Sequence, residues 1–455
     1  MSTTNMSLRD EIRTKDIWVL MAKFTPVAVL GMSINSLNMF VDALFIGQFL
    51  GETALAAMSL AFPLSFITNS FAAMLGVGGS SILSIAIGEK DKESQSKIFG
   101  TIVVLSVIVS VLLMGLGWVF AEDMIAAIGG KGEVLRLGVI YYKAIVLGAF
   151  FQIFAVATNL LIRAEGKIKE AMVIAMISMI SNMILNPIFI GYLDMGIAGA
   201  AYATIISMAI FVILDIWYYS TKRASYEVDL TYYKLEKKLA RPILAIGISA
   251  MMLQVMFLLQ QIVVFKVISI YGDDSDIAFM GACYRVMILM LVPGFGFSSA
   301  LQPIAGINFG AKDYPRVKEA FWKFTIGSTV LTTFLLILIE LFPRVVLGWM
   351  LPNIVFTPAD ILNFRLMMSP GFMFSLFFMG IVLYQAIGNA KVAGIVLLLR
   401  ELVFFLPLVI ILPIYWGIQG IYVSFIFQNI IVLAITCYLI FNTFKKWKAQ
   451  ESQDK

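Results

Sequence analysis

Stretches of about twenty consecutive apolar residues recur from one end of this chain to the other, and each is long enough to cross a hydrocarbon core about 30 Å thick. In lipid a backbone must satisfy its own hydrogen bonds, so only helices and closed barrels cross. The alternating pattern of barrel strands is absent. The chain is therefore expected to be an all-α polytopic membrane protein. Composition agrees: 60% of the 455 residues are hydrophobic and 13% are charged, against about 25% charged in soluble domains.

Length alone predicts about twelve spans, at about 17–49, 54–87, 98–120, 134–161, 170–192, 196–220, 242–271, 277–309, 318–343, 361–386, 392–415 and 418–444. The first apolar run is too long for a cleaved signal, and no processing is expected. Every second connection carries the cations: Arg9, Arg13 and Lys15; Lys90, Lys92 and Lys97; Arg163, Lys167 and Lys169; the run from Lys222 to Arg241; Lys312, Arg316 and Lys318; Lys391; and Lys445, Lys446 and Lys448. The alternate connections hold Lys131, Arg136 and Arg344 and are otherwise neutral or acidic. This asymmetry predicts a cell inner (plasma) membrane protein with both termini in the cytoplasm. The net charge of +5 is thus a topology signal, and no nucleic-acid partner is expected. Cys283 and Cys437 lie apart in apolar runs and predict neither a disulfide nor a metal site. With no histidine at all, the commonest general base is missing, which argues against an enzyme.

The chain repeats. Gly88-Glu-Lys-Asp recurs as Gly310-Ala-Lys-Asp and Gly166-Lys-Ile-Lys as Gly388-Asn-Ala-Lys, each 222 positions later; Gly196-Ile-Ala-Gly recurs as Gly417-Ile-Gln-Gly after 221. The expected organisation is a six-helix lobe over 1–220, a cytoplasmic connecting loop over 221–241 and a second six-helix lobe over 242–455. Such pseudo-symmetric halves are a transporter layout, with the substrate expected in a cavity between them and alternating access by rocking.

Asp42 is the residue that most demands explanation. It lies in Asn35-Ser-Leu-Asn-Met-Phe-Val-Asp42-Ala-Leu-Phe-Ile-Gly47, otherwise apolar enough for a bilayer. A carboxylate at membrane depth costs about 2.5–3.5 kcal/mol and is by default functional. Pro26, sixteen residues earlier, is placed to kink or hinge the first span.

Gln302-Pro-Ile-Ala-Gly-Ile-Asn-Phe-Gly-Ala-Lys312 and Asp42-Ala-Leu-Phe-Ile-Gly, supported by Arg163-Ala-Glu-Gly166, Asn182 to Pro187 and Gly196 to Thr204, make the chain resemble the MATE (multidrug and toxic compound extrusion) family over essentially its whole length, and its DinF/MepA-like prokaryotic branch in particular. The resemblance implies the two-lobed MATE/MOP-type fold and an ion-coupling cluster at Asp42, Asn182, Asn186 and Thr204. Asn186 departs from the family, where a second carboxylate is frequent. Asn182 and Asn186 are four apart and share a helix face. A single carboxylate titrating by burial favours protons, whereas the four oxygen-bearing side chains could together ligate Na+; both H+ and Na+ stay open. Val263 stands where the second half would match Asp42, which argues against the coupling scheme of the branch resembling NorM.

Gln254, Gln260, Arg285 and Glu401 are candidate cavity or gating residues, although Arg400 and Glu401 also fit an interfacial pair. Lys266, Asp215 and Glu340 read as span-edge residues. Twenty-six methionines and thirty-six phenylalanines suit an adaptable apolar cavity. The resemblance implies a monomeric secondary antiporter in the lipid bilayer, with no cofactor beyond its coupling ion, that exports cationic or amphipathic organic drugs. The alternative is a flippase for a lipid or lipid-linked oligosaccharide, from the same superfamily.

Overall fold

The computed structural model describes residues 8–228, 230–350 and 355–453. Among them the secondary structure is helical. The elements are α1 (Leu8–Thr14), α2 (Ile17–Glu89), α3 (Lys92–Val119), α4 (Ala121–Ala127), α5 (Gly132–Leu147), α6 (Ala149–Ala164), α7 (Ile168–Pro187), α8 (Gly196–Ser220), α9 (Lys237–Tyr271), α10 (Asp274–Gly310), α11 (Tyr314–Leu341), α12 (Pro343–Met350), α13 (Pro358–Met368), α14 (Gly371–Ala386), α15 (Ala390–Leu398), α16 (Leu406–Trp416) and α17 (Ile418–Gln453). Among the described residues eleven helical stretches are long and apolar enough to cross a membrane, or twelve when α5 and α6, bent by 49°, are counted together as one span. The multi-pass helical architecture expected from the apolar runs is the one found.

Helix α2 carries the break expected between the first two spans. The connection expected over 50–53 is a kink at Gly51, at φ 80° and ψ −178°, within a helical tract of 73 residues. A straight helix of that length would run about 110 Å, far beyond one bilayer crossing. Gly51 supplies the break because this backbone region is open essentially to glycine alone.

The chain divides into two compact units: Met1–Thr14 with Pro26–Met251, and Lys15–Thr25 with Met252–Lys455. The first unit has a core of small residues, with Ala54, Ala57 and Ala61 of α2 packed among Ala121, Tyr141, Tyr142, Ala200 and Ala201. Small residues let membrane helices approach closely. Gly78 of α2 and Gly247 of α9 show the limit: a Cβ on Gly78 would run into the Ile243 carbonyl and one on Gly247 into the Met74 carbonyl.

The second unit packs aromatics instead, with Phe279, Tyr284, Phe374, Phe377, Phe405, Tyr422 and Phe425 in one core. Helix α11 shows how lipid inverts a soluble helix. Its exposed stripe is Ile326, Val330, Phe334, Ile337 and Leu341, while Ser328 and Thr332 are buried. There Ser328 Oγ donates to Ser375 Oγ (3.1 Å), which donates to Thr332 Oγ1 (3.3 Å). The segment Lys15–Thr25 belongs to this unit through the same helix. Lys323 Nζ donates to Asp16 Oδ2 at 3.2 Å, the Arg316 guanidinium donates to the Lys15 carbonyl, and Met21 lies against Gly327.

Candidate functional site

The first unit gathers four side chains from three helices around Asp42. Asn182 and Asn186, each 2% exposed, project from α7 one turn apart, and Thr204 faces them from α8. Just past Asn186, Pro187 has no N–H for the carbonyl four residues back, and the helix widens into a π-helical turn over Ile188–Tyr192. Such turns recur at functional sites.

Asn186 Nδ2 donates to Asp42 Oδ1 at 2.6 Å. Asn38, one turn before Asp42 on α2, donates to the other carboxylate oxygen at 3.4 Å. The Asn182 amide lies 2.7 Å from Asp42 Oδ1 and can turn either its NH₂ or its carbonyl toward it. With its NH₂ toward Asp42 it donates to the ionised carboxylate and to Asn38 Oδ1 (3.2 Å), while its carbonyl accepts from Thr204 N (3.3 Å). Turned over, its carbonyl meets Asp42 Oδ1, an approach two acceptors tolerate only when Asp42 carries a proton there. Asn186 Nδ2 then also donates to Asn182 Oδ1 (3.2 Å), and Asn182 Nδ2 donates to Thr204 Oγ1 (3.3 Å).

Asp42, Asn182, Asn186 and Thr204 thus converge. Two neighbours escaped the sequence reading. Asn38 carried a usable signal, its spacing of four from Asp42 on one helix. Tyr141, buried on α5 and within electrostatic reach of Asp42, carried none. Pro26 is exposed on α2, at the position where the chain passes from one unit to the other. The remaining candidates lie in the second unit: Gln254, half-buried, and Gln260, buried, on α9; Arg285, exposed, on α10; and Glu401, buried, between α15 and α16.

Three further charges in or near the spans are packed against polar neighbours. Asp215, near the Ser220 end of α8, is 0% exposed, and Thr158 Oγ1 (2.8 Å) and Asn159 Nδ2 (3.5 Å) of α6 turn onto it; Asn159 in turn accepts from Arg163. Arg400 and Glu401 are likewise buried against each other. Glu340 does sit at an edge, half-buried beside Arg365 at 3.4 Å.

Apolar spans arranged as a repeat, with a carboxylate held by amides inside one half, define a multi-pass membrane transporter. A sequence model of the MatE family matches residues 27–188 and again 248–411. The chain belongs to that family, and is a transporter and not an enzyme. The second match begins 221 residues after the first, the spacing of the tetrapeptide repeats. "Probable multidrug resistance protein YoeA" of Bacillus subtilis (strain 168) is 26% identical over 76% of this chain and 77% of its own length. "Multidrug export protein MepA" of Staphylococcus haemolyticus (strain JCSC1435) is 24% identical over 94% of each. The crystal structure of a MATE protein in the bent conformation superposes with a TM-score of 0.92, at 23% identity, over 99% of this chain and 100% of that one. It has the same fold.

Proposed function

We propose that this chain is a secondary antiporter of the plasma membrane that exports cationic or amphipathic organic compounds by alternating access, driven by protons moving inward through Asp42. The exported class follows relatives named for multidrug export and multidrug resistance. The cytoplasmic placement of both termini rests on the loop cations, and the chain works as a monomer in this reading.

The observation that carries the coupling is the Asp42 amide cage. Sodium needs several oxygens turned onto one centre. Here Asn186 presents its NH₂ to Asp42, and the Asn182 amide can face the carboxylate as a donor to its ionised form or an acceptor from its protonated form. The cage therefore supports a proton carrier rather than a cation site. One charge moving through 100 mV releases about 2.3 kcal/mol, enough for a gradient of roughly fortyfold in a neutral solute.

The test is ethidium export from proteoliposomes under a proton gradient or a sodium gradient imposed separately. Protons alone should drive wild type, and neither gradient should drive Asp42→Asn. Export that requires sodium would replace the carrier with a metal-ion site. If neither gradient moves ethidium while labelled lipid is translocated, the flippase function stands instead.

A further inference from the structure

Three polar side chains of the second unit are buried deep among its helices. Arg400 and Glu401 occupy a π-helical turn, Leu399–Phe405, between α15 and α16, and Gln428 faces them from α17. Their relative exposures are 6%, 4% and 0%. Arg400 Nη1 meets Glu401 Oε1 at 3.4 Å, one long contact in place of the two short parallel bonds a guanidinium can make to a carboxylate. Gln428 Nε2 is shared between the Arg400 carbonyl (3.2 Å) and Glu401 Oε1 (3.4 Å). Arg400 Nε, Glu401 Oε2 and Gln428 Oε1 are buried with no hydrogen-bond partner. Buried polar atoms are nearly always paired, so three orphans in one cluster call for an occupant.

The chemistry of the set narrows that occupant. A metal cation is repelled by a guanidinium that stays charged at any physiological pH, and an anion is repelled by Glu401. Side chains this buried leave no path for an organic ligand without repacking. A proton needs no such path. The orphans are two acceptors, Glu401 Oε2 and Gln428 Oε1, and one donor, Arg400 Nε, and a proton on Glu401 Oε2 turns one of the two acceptors into a second donor. Arg400 is not left bare when Glu401 is neutralised, because its guanidinium lies 4.5 Å from the Phe377 ring centroid and 5.5 Å from that of Phe374, faces that hold a cation independently of the carboxylate. Apart from Arg400, the titratable group acting on this site is Tyr284 of α10, whose hydroxyl is also buried and unpaired; a phenol is too weak an acid to exchange protons near neutrality.

We propose that Glu401 is a second proton-binding carboxylate of this transporter, in its carboxy-terminal unit, and that Gln428 passes its protonation to the π-helical turn. The inference rests on the proton-driven reading of the chain. Binding places one proton on Glu401 Oε2 and takes the Arg400–Glu401 pair from neutral to a single positive charge. Gln428 is the link because its one NH₂ serves both the carboxylate and the Arg400 carbonyl. When Glu401 loses its charge, the bond from that NH₂ to Oε1 weakens relative to the one to the carbonyl, and the hydrogen bonding of a turn one residue wider than its flanks is altered.

Infrared difference spectra of the purified full chain in liposomes, taken between alkaline and acidic pH, read this directly, because a buried protonated carboxyl has its own C=O stretch. One component should vanish in Glu401→Gln, shift in Glu401→Asp and persist in Asp42→Asn, and proton uptake on acidification should fall by one per chain in Glu401→Gln. Glu401→Asp keeps an acid in place, so its shifted component decides the matter even if Glu401→Gln fails to fold. Spectra of Glu401→Asp that superpose on wild type in this region overturn the proposal, whatever Asp42→Asn shows. If the Glu401 component stands while Asp42→Asn removes nothing, the Asp42 carrier falls and the second site survives.

Discussion

Asn186 donates its side-chain amide to Asp42 across 144 positions of sequence, at 2.6 Å, and in doing so ties the first span to the fifth. A hydrogen bond to a charged group contributes about 1.5–3 kcal/mol, which is about ten- to hundredfold in an equilibrium or a rate. Asn186→Leu keeps the volume and removes the donor. Proton-driven ethidium efflux should fall at least about tenfold with the protein still folded in the membrane. Wild-type efflux at wild-type abundance would remove Asn186 from the mechanism.

Thr204 enters only through the Asn182 amide, so its share should be smaller. Thr204→Val deletes the acceptor that Asn182 Nδ2 uses when its carbonyl faces Asp42 and leaves the Thr204 N–H in place for the other orientation. A neutral hydrogen bond contributes about 0.5–1.5 kcal/mol, so initial efflux rates should drop about two- to tenfold. A loss as complete as that of Asp42→Asn would mean that Thr204 is a ligand in its own right.

Glu165, at the turn after α6 and outside the spans, accepts from Ser225 N at 2.6 Å, and burial pushes its carboxyl up to about 7. A folded-state value above the unfolded one, about 4.3, gives stability that is complete below about pH 4 and lost as pH rises through about 7. The full effect is on the order of 3 kcal/mol. Glu165→Gln stays neutral throughout. Melting temperatures of variant and wild type should lie close at pH 4, with the variant the more stable at pH 8; parallel pH profiles would contradict the assignment.

Two glycines should respond differently to side-chain size. At Gly51 the backbone conformation is the difficulty and the space is open, so Gly51→Ala and Gly51→Leu should each cost about 1–3 kcal/mol by the same strain. At Gly247 the Met74 backbone is the obstacle, so the cost should climb from Gly247→Ala to Gly247→Leu, beginning near the 1–3 kcal/mol typical of overpacking. Thermal melts of the four variants separate the two causes.

The spans, the repeat and the pairing of Asn182 with Asn186 were legible because each follows from spacing along the chain. Rotation of a span about its own axis was not. Lipid and protein interior are both apolar, so Ile326, Val330 and Phe334 read no differently from Phe321 and Phe324, although the first three face outward and the last two are buried. The same blindness left the burial of Asp215, and of Arg400 with Glu401, unread. Gly51 escaped for another reason, since hydropathy marks where an apolar run weakens and carries nothing about the dihedral that ends it.

The anchoring of Lys15–Thr25 on α11 sets an order of events during synthesis. Asp16 and Lys323 are separated by 307 positions, so at about 5–20 residues per second the ribosome needs roughly 15–60 s to deliver the partner after the anchor has emerged. Through that interval the first apolar segment has left the ribosome without the helix it belongs to. The nascent chain must be held in the bilayer or by the insertion machinery until more than two thirds of it has been made.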